Sequence, residues 1–151
     1  MPKRRKARVL ALQIIFQLQN RSDAFQEQVD DFVKDVDLDP ALSSYGRELA
    51  LQAWADRAGA DALINKFARD WTADSLPAVD LAILRLAIYE MLHCPDVPPK
   101  VAIDEAIELA KVYSTEPSSR FINGLLDSIM KSDLTESEKG EEPAPADPST
   151  E

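Results

Sequence analysis

Apolar residues recur along the chain at helical spacing, and one stretch is apolar on nearly every side. Between residues 76 and 94, leucine, isoleucine, valine and methionine fall on all faces of a helix rather than on one stripe. A helix of this kind cannot face water, so it must pack against several others. The segment predicts a central helix whose few polar residues each need a partner or the surface; these residues are Asp80, Arg85, Tyr89 and Glu90.

Amphipathic stripes with i, i+3, i+4 spacing occupy most of the remaining chain. They predict helices near residues 4–20, 23–33, 41–58, 61–71, 100–114 and 117–131. Gly59 is expected to break the third helix, and Trp54 and Trp71 are expected to lie in the core because they continue apolar stripes. No run alternates with period two between turn residues, so no strand is expected. The fold class is therefore predicted to be all-α, with about seven helices.

Charge is distributed unevenly along the 151 residues. The chain carries a formal net charge of −10, yet five of its first eight residues are basic and none of them is acidic. Residues 132–151 hold seven acidic residues and one lysine with few large apolar groups, a composition typical of a disordered tail. The body is acidic and the start is basic, so any contact with a polyanion is expected to be local.

The composition favours a soluble, cytoplasmic protein. A single cysteine, Cys94, can form no internal disulfide, as is usual in a reducing compartment. No signal-peptide apolar region follows the basic start. The apolar central stretch contains charged residues, which argues against a membrane span.

The constellations expected of an enzyme or a metal site are lacking in the sequence. There is one histidine, His93, and no glycine-rich phosphate loop. Cys94 has no partner at metal-ligand spacing. We therefore expect a binding protein with no catalytic residues, no cofactor and no metal.

The basic start of the first helix is the first candidate for binding. Cations near a helix N-terminus oppose the helix dipole by about 0.3–1 kcal/mol each. Several cations at one helix N-terminus are therefore expected where an anion binds. The alternative is that this helix end is solvated and frayed. The candidate phosphate contacts are Lys3, Arg4, Arg5, Lys6 and Arg8.

The last predicted helix carries the second candidate. Arg120, Phe121 and Asn123 place a cation, a flat ring and an amide within one turn, the means by which single-stranded RNA is held. Gly124 in mid-helix costs about 1 kcal/mol relative to alanine, so a close helix crossing or a ligand backbone is expected to need its missing side chain. In the alternative interpretation, Phe121 is peripheral core and Asn123 is a surface amide.

Three blocks of this sequence resemble the NusB family of bacterial transcription antitermination factors. They are DLAILRLAIYEM at residues 80–91, DVPPKVAIDEAIELAK at 96–111 and RFINGLLD at 120–127. The basic start, followed by Gln13 and Phe16, resembles the arginine-rich first helix of the family. The resemblance covers about residues 3–131.

This resemblance implies a fold, a function and partners. The fold is all-α with two packed helical subdomains, about residues 1–72 and 73–131. The implied function is binding of boxA RNA in nascent ribosomal RNA transcripts, jointly with the ribosomal protein NusE, in a complex that helps RNA polymerase pass terminators. The resemblance adds Gln13 and Phe16 to the RNA-binding candidates and suggests Asp80 and Glu90 on the central helix as partner-binding residues.

Two other classes of function stay open at this point. The first alternative is a homodimeric helical interaction module that buries its basic start at a subunit interface. NusB-like domains also precede rRNA cytosine methyltransferases, so an RNA-binding accessory domain of such a system is the second alternative.

Overall fold

Eight α-helices make up most of the chain in the computed structural model, which describes residues 2–21 and 23–134. They are α1 Pro2–Arg21, α2 Asp23–Gln26, α3 Val29–Lys34, α4 Pro40–Ala55, α5 Arg57–Phe67, α6 Ala78–His93, α7 Pro99–Tyr113 and α8 Glu116–Ile129. A 3₁₀ turn, Ala73–Ser75, precedes α6, and a π-helical turn, Met130–Leu134, follows α8. The described residues contain no strand, so the predicted all-α class is confirmed. The division into two subdomains stays a prediction.

The central helix is α6, as its all-round apolar pattern predicts. Nine of its sixteen residues are buried, which is possible only because it packs against α1, α4, α5, α7 and α8. Its buried aliphatic side chains belong to one continuous core that also contains the inner faces of α1 and α8. The two helices that carry the candidate RNA-binding residues are thus both supported by α6.

The polar side chains of α6 reach partners on other helices, as expected. Arg85 donates to both carboxylate oxygens of Asp61 at 3.0 and 2.7 Å and to Gln19 Oε1 at 3.1 Å. Tyr89 donates its hydroxyl to Gln52 Oε1 at 2.6 Å. These bonds tie α6 to α1, α4 and α5, because a buried polar group left unpaired would cost free energy.

The crossing of α1 and α4 is close enough to require a glycine. A Cβ atom added at Gly46 would lie 2.7 Å from the carbonyl oxygen of Ala7 and 3.2 Å from Cδ2 of Leu10. Real Cβ atoms are not found that close to a backbone oxygen. Gly46 therefore lets the backbone of α4 approach the first turns of α1 and helps to fix their position.

Helix boundaries differ from the predictions in two places. The predicted second helix is divided into α2 and α3 by a turn, in which Gln28 N–H donates to Phe25 O at 2.8 Å. The third and fourth helices separate at Asp56 rather than at Gly59, and Gly59 lies inside the first turn of α5.

The prediction that Trp71 is a core residue is wrong. The apolar repeat continues beyond the point where α5 ends at Phe67, and Ala68 already has an extended backbone. Trp71 lies in the following loop and is 47 % exposed. Trp54, in contrast, packs against the core as predicted.

At the C-terminal end, the π-helical turn extends to Leu134, three residues beyond the predicted domain boundary at Lys131. Residues 135–151 of the predicted disordered tail lie outside the described residues. Within the part of the chain that the structure describes, no helix has the length and apolar character needed to cross a membrane.

Candidate nucleic-acid interface

The arginines at the start of α1 face carboxylates from the segments that follow α6. Arg4 Nη2 donates to Asp96 Oδ2 at 2.8 Å, and its guanidinium lies 5.1 Å from the centre of the Tyr45 ring. Arg5 makes a two-point contact with Glu105 on α7, with both N–H···O distances at 2.9 Å. The Arg5 side chain is nevertheless 52 % exposed, so its guanidinium remains accessible to an anion.

Arg8 is enclosed in the protein. Its Nε donates to the two carboxylate oxygens of Glu90 at 2.9 and 3.0 Å, and Nη1 lies 3.9 Å from Glu105 Oε1. Arg8 and Glu90 are 2 % and 1 % exposed. Charges removed from water in this way are tolerated when they are paired and hydrogen-bonded. The pair connects α1 to the central helix.

These contacts change the proton affinities of the paired groups. The hydrogen bond from Arg4 holds the pKa of the Asp96 carboxyl below its ordinary value, and the same bond raises the pKa of Arg4. The hydrogen bonds from Arg5 likewise lower the pKa of Glu105. The charged forms are therefore favoured on both sides, and the basic start of α1 carries its own counter-charges.

The structure corrects the accessibility expected of three candidate residues. Arg8, predicted as a phosphate contact, is buried, and so are Asp80 and Glu90, predicted as partner contacts. Asp80 accepts hydroxyl hydrogen bonds from Ser114 at 2.6 Å and Ser118 at 2.7 Å. It therefore fastens the α7–α8 corner to α6, because a buried carboxylate needs such donors.

The other described candidates on α1 share one face. Arg5, Lys6 and Gln13 are exposed, and Phe16 is half-buried at the edge of the same helical face. No ion pair of the Lys6 ammonium occurs among the described residues. The side chain of Lys3, the remaining candidate, lies outside the described residues. The exposed side of α1 therefore presents two cations, an amide and a ring in a row.

The candidates on α8 are accessible as well. Arg120 is 69 % exposed in its side chain and lies 3.3 Å from Glu116 Oε2 one turn earlier. Asn123 is exposed and Phe121 is half-buried. The helix begins at a Thr115 cap, whose side-chain oxygen accepts the backbone N–H of Ser118 at 3.2 Å. This cap and the Asp80 contacts hold the N-terminal turn of α8 in place.

An open groove of about 360 Å³ lies between α8 and the loop after α5. Its walls include three aromatic residues, Phe67, Trp71 and Phe121, and Gly124 of α8 also lines it. The complete set of lining residues is Phe67, Ala68, Arg69, Asp70, Trp71, Arg120, Phe121, Gly124, Leu125 and Ser128. The groove is thus lined by two predicted RNA-binding residues, Arg120 and Phe121, and by the loop of Trp71, for which the sequence predicts no binding role.

The sequence gives no sign of the carboxylates that pair with Arg4 and Arg5. Asp96 and Glu105 are about 90 to 100 positions from their partners in sequence, and nothing local marks them. Glu90 stands out in the sequence as a charged residue on an otherwise apolar helix, but this indicates only that it needs a partner, not which residue the partner is.

Comparison with known proteins gives a consistent family assignment. The family model described as the NusB family matches residues 5–131. Transcription antitermination protein NusB of Symbiobacterium thermophilum is 42 % identical over 137 residues, covering 85 % of this chain and 89 % of that protein.

Solved structures agree with this assignment. The structure of T. maritima NusB matches with a TM-score of 0.79 at 35 % identity, covering 91 % of this chain and 96 % of that one. A chain in a crystal structure of antitermination factors NusB and NusE in complex with double-stranded RNA matches with a TM-score of 0.76 at 25 % identity, covering 87 % of this chain and 98 % of that chain. The protein belongs to the NusB family.

Proposed function

We propose that this protein is a transcription antitermination factor that binds boxA-type RNA of nascent rRNA transcripts together with the ribosomal protein NusE. The complex promotes read-through by RNA polymerase in the cytoplasm, and the protein acts by binding rather than by catalysis. The proposal is supported by curated relatives that are named transcription antitermination protein NusB and by a structural neighbour solved with NusE and RNA.

The observation that carries the proposal is the exposed face of α1. Lys6 and Phe16 are ten residues apart, which corresponds to about 15 Å along a helix. A single-stranded RNA segment lying along this face meets Arg5 and Lys6 through its phosphates, Gln13 through a base edge and Phe16 by stacking. Arg4 also contacts the RNA when a phosphate replaces the carboxylate of Asp96, whose side chain is 63 % exposed.

The second contact is the start of α8. Arg120 is held by one exposed i, i+4 pair with Glu116, which is a weak interaction that a phosphate can replace. Phe121 and Asn123 supply a ring and an amide beside it. RNA that contacts both helices uses two surfaces that are supported by the same central helix, so their relative position is fixed before binding.

The buried carboxylates act on binding through these helices. Glu90 holds Arg8 and hence the start of α1, and Asp80 holds the α7–α8 corner. We therefore propose that their contribution to RNA and NusE binding is to position the exposed residues rather than to contact either partner.

Assembly of the purified components tests the proposal. The protein, NusE and a boxA RNA are mixed at low micromolar concentration and analysed by native mass spectrometry, with a scrambled RNA of equal composition as the control. We expect a 1:1:1 complex with boxA RNA that is much less abundant with the scrambled RNA. A protein that forms only a homodimer, unaffected by NusE and boxA RNA together, would refute the proposal.

A further inference from the structure

We propose that the groove between α8 and the loop after α5 is a subsite for one nucleotide of single-stranded RNA, with Trp71 and Gly124 as its defining residues. The inference rests on the proposed function and adds a binding site to it. Four observations point to this ligand: the volume of the groove, the exposed indole, the glycine and the charges.

The groove has the volume and the walls of a small-ligand site. Its volume of about 360 Å³ falls in the range in which such sites occur, about 300–1,000 Å³. Three aromatic rings line it, those of Phe67, Trp71 and Phe121. Aromatic walls with an open side suit a flat ring that enters from solvent.

Trp71 is exposed without an evident structural need. It is 47 % exposed and lies in the loop beyond α5, whereas Trp54 packs against the core. An exposed indole in a groove is an effective platform for a base, because stacking tolerates any base and gains from the size of the ring. The position of Trp71 is thus better explained by a ligand than by the core.

Gly124 is not required by helix packing. A Cβ atom added there would meet no atom within 4 Å, in contrast to Gly46 at the α1–α4 crossing. Glycine is disfavoured in the interior of a helix, so a glycine that helix packing does not require indicates another role for the open space. Gly124 lines the groove, as do Phe121 and Ser128 on the same helix, so a side chain there would narrow it.

The charges favour a nucleotide over an apolar peptide. Arg69 and Arg120 both line the groove and are exposed, and no ion pair of Arg69 occurs among the described residues. They are suited to a phosphate at the rim. Asp70, the acidic residue in the lining, can accept a hydrogen bond from the amino group of a base.

Fluorescence of Trp71 reports occupancy directly. In a Trp54→Phe background, Trp71 is the remaining tryptophan. A boxA RNA of about twelve nucleotides is titrated into this variant while the emission of Trp71 is followed, and a parallel titration follows the anisotropy of the same RNA carrying a label. We expect the emission to be quenched with the same dissociation constant that anisotropy gives. Binding without any change in Trp71 emission would overturn the inference.

Two substitutions separate a role in binding from a role in folding. Trp71→Ala should weaken boxA binding at least five-fold while leaving the circular dichroism spectrum unchanged. Gly124→Ala should raise the melting temperature, since alanine favours the helix and meets no atom, and should still weaken RNA binding. Gly59→Ala, in the first turn of α5 and outside the groove, serves as the matched control and should not change RNA affinity.

The outcomes distinguish this inference from the proposed function. Wild-type RNA affinity in both the Trp71 and Gly124 variants overturns the groove as a nucleotide site and leaves the proposed function intact. If the two variants lose affinity for NusE and keep their affinity for RNA, the groove is a protein-binding site and the inference is also overturned. Absence of RNA binding by the wild-type protein contradicts both.

Discussion

Arg8 and Glu90 form a buried ion pair in which one guanidinium nitrogen, Nε, donates to both carboxylate oxygens at 2.9 and 3.0 Å. Their side chains are 3 % and 2 % exposed. The pair joins the basic start of α1 to the central helix at a point where neither charge can be solvated. An arginine that the sequence suggests as an RNA contact is thus part of the internal framework, and it determines where its exposed neighbours lie.

Removing one member of this pair should destabilise the protein strongly. Arg8→Ala leaves the Glu90 carboxylate buried without its main partner, and we expect the free energy of unfolding to fall by about 3–5 kcal/mol. The double variant Arg8→Met/Glu90→Leu removes both charges and should recover most of that loss. Urea denaturation at pH 7 measures both effects.

The control for this comparison is an exposed pair. Lys131→Ala breaks the contact of Lys131 with Asp127, in which the side chains are 72 % and 42 % exposed, and should cost less than about 1 kcal/mol. A loss of similar size in the Arg8 and Lys131 variants would mean that the buried pair has no special role.

Gly46→Ala should destabilise the α1–α4 crossing. The added methyl group would lie 2.7 Å from the Ala7 carbonyl oxygen, so the helices must move apart. Overpacking of this kind costs about 1–3 kcal/mol, which thermal and urea unfolding resolve readily. Gly59→Ala is the matched control, because its Cβ would be 3.5 Å from the nearest atom, Asp56 Oδ1, at an ordinary contact distance. Equal stability of the two variants would contradict the packing that we describe.

Asp96→Asn should strengthen RNA binding. In the proposed RNA complex, the Asp96 carboxylate competes with phosphates for Arg4, and removing its charge frees that guanidinium. Because an exposed ion pair is worth up to about 1 kcal/mol, we expect affinity for boxA RNA to rise by about two- to five-fold at low salt. Fluorescence anisotropy provides the measurement. Asp104→Asn removes the same charge from an exposed position of α7 that has no ion pair among the described residues, and an equal gain in that variant would show a general charge effect instead.

Glu105 should make stability depend on pH. Its pKa is lowered in the folded protein, chiefly by the hydrogen bonds from Arg5, relative to an ordinary value of 4.5. The stabilisation is therefore complete above about pH 4.5 and is lost as the pH falls through the lower, folded-state pKa. The difference in unfolding free energy between wild type and Glu105→Gln should be largest near pH 7 and shrink in acid.

A neighbouring carboxylate controls for general acid effects. Glu108 lies on the same helix and pairs with Lys111 at 3.7 Å, with side chains that are 47 % and 60 % exposed. Glu108→Gln should differ little from wild type at any pH. If the Glu105 difference stayed constant from pH 7 to pH 3, the charged contact with Arg5 would not be its source.

Periodicity predicted the fold because its signal was local and strong. The central helix can be identified from residues 76–94 alone, because a helix that is apolar on all sides must be buried among the other helices of a small protein. Periodicity misplaces Trp71, because the apolar repeat continues past Phe67 and does not show where α5 ends. The turn between α2 and α3 was missed because it interrupts a stripe without a proline or glycine.

The site could be predicted only in part, because its electrostatics depend on distant pairs. The sequence shows the cations of α1, but the carboxylates that neutralise them lie on α6 and in the segments after it, and they become neighbours of α1 only when the helices pack. The low helix propensity of glycine marks Gly124 in the sequence, yet only the structure shows that the space beside it is open and that it lines the same groove as Trp71. Long-range contacts of this kind have no single-sequence signature.

The most direct test of the central claim is the affinity for boxA RNA across a salt series, measured by anisotropy with and without NusE and compared with a scrambled strand. We expect preferential binding of boxA RNA that tightens with NusE. The logarithm of the association constant should fall linearly with the logarithm of the salt concentration, by about 0.7 per phosphate contact, and the slope should be reduced by about that amount in Lys6→Ala. Equal, weak binding to both strands in the presence of NusE, with a slope that Lys6→Ala does not change, would show that α1 is not an RNA-binding surface.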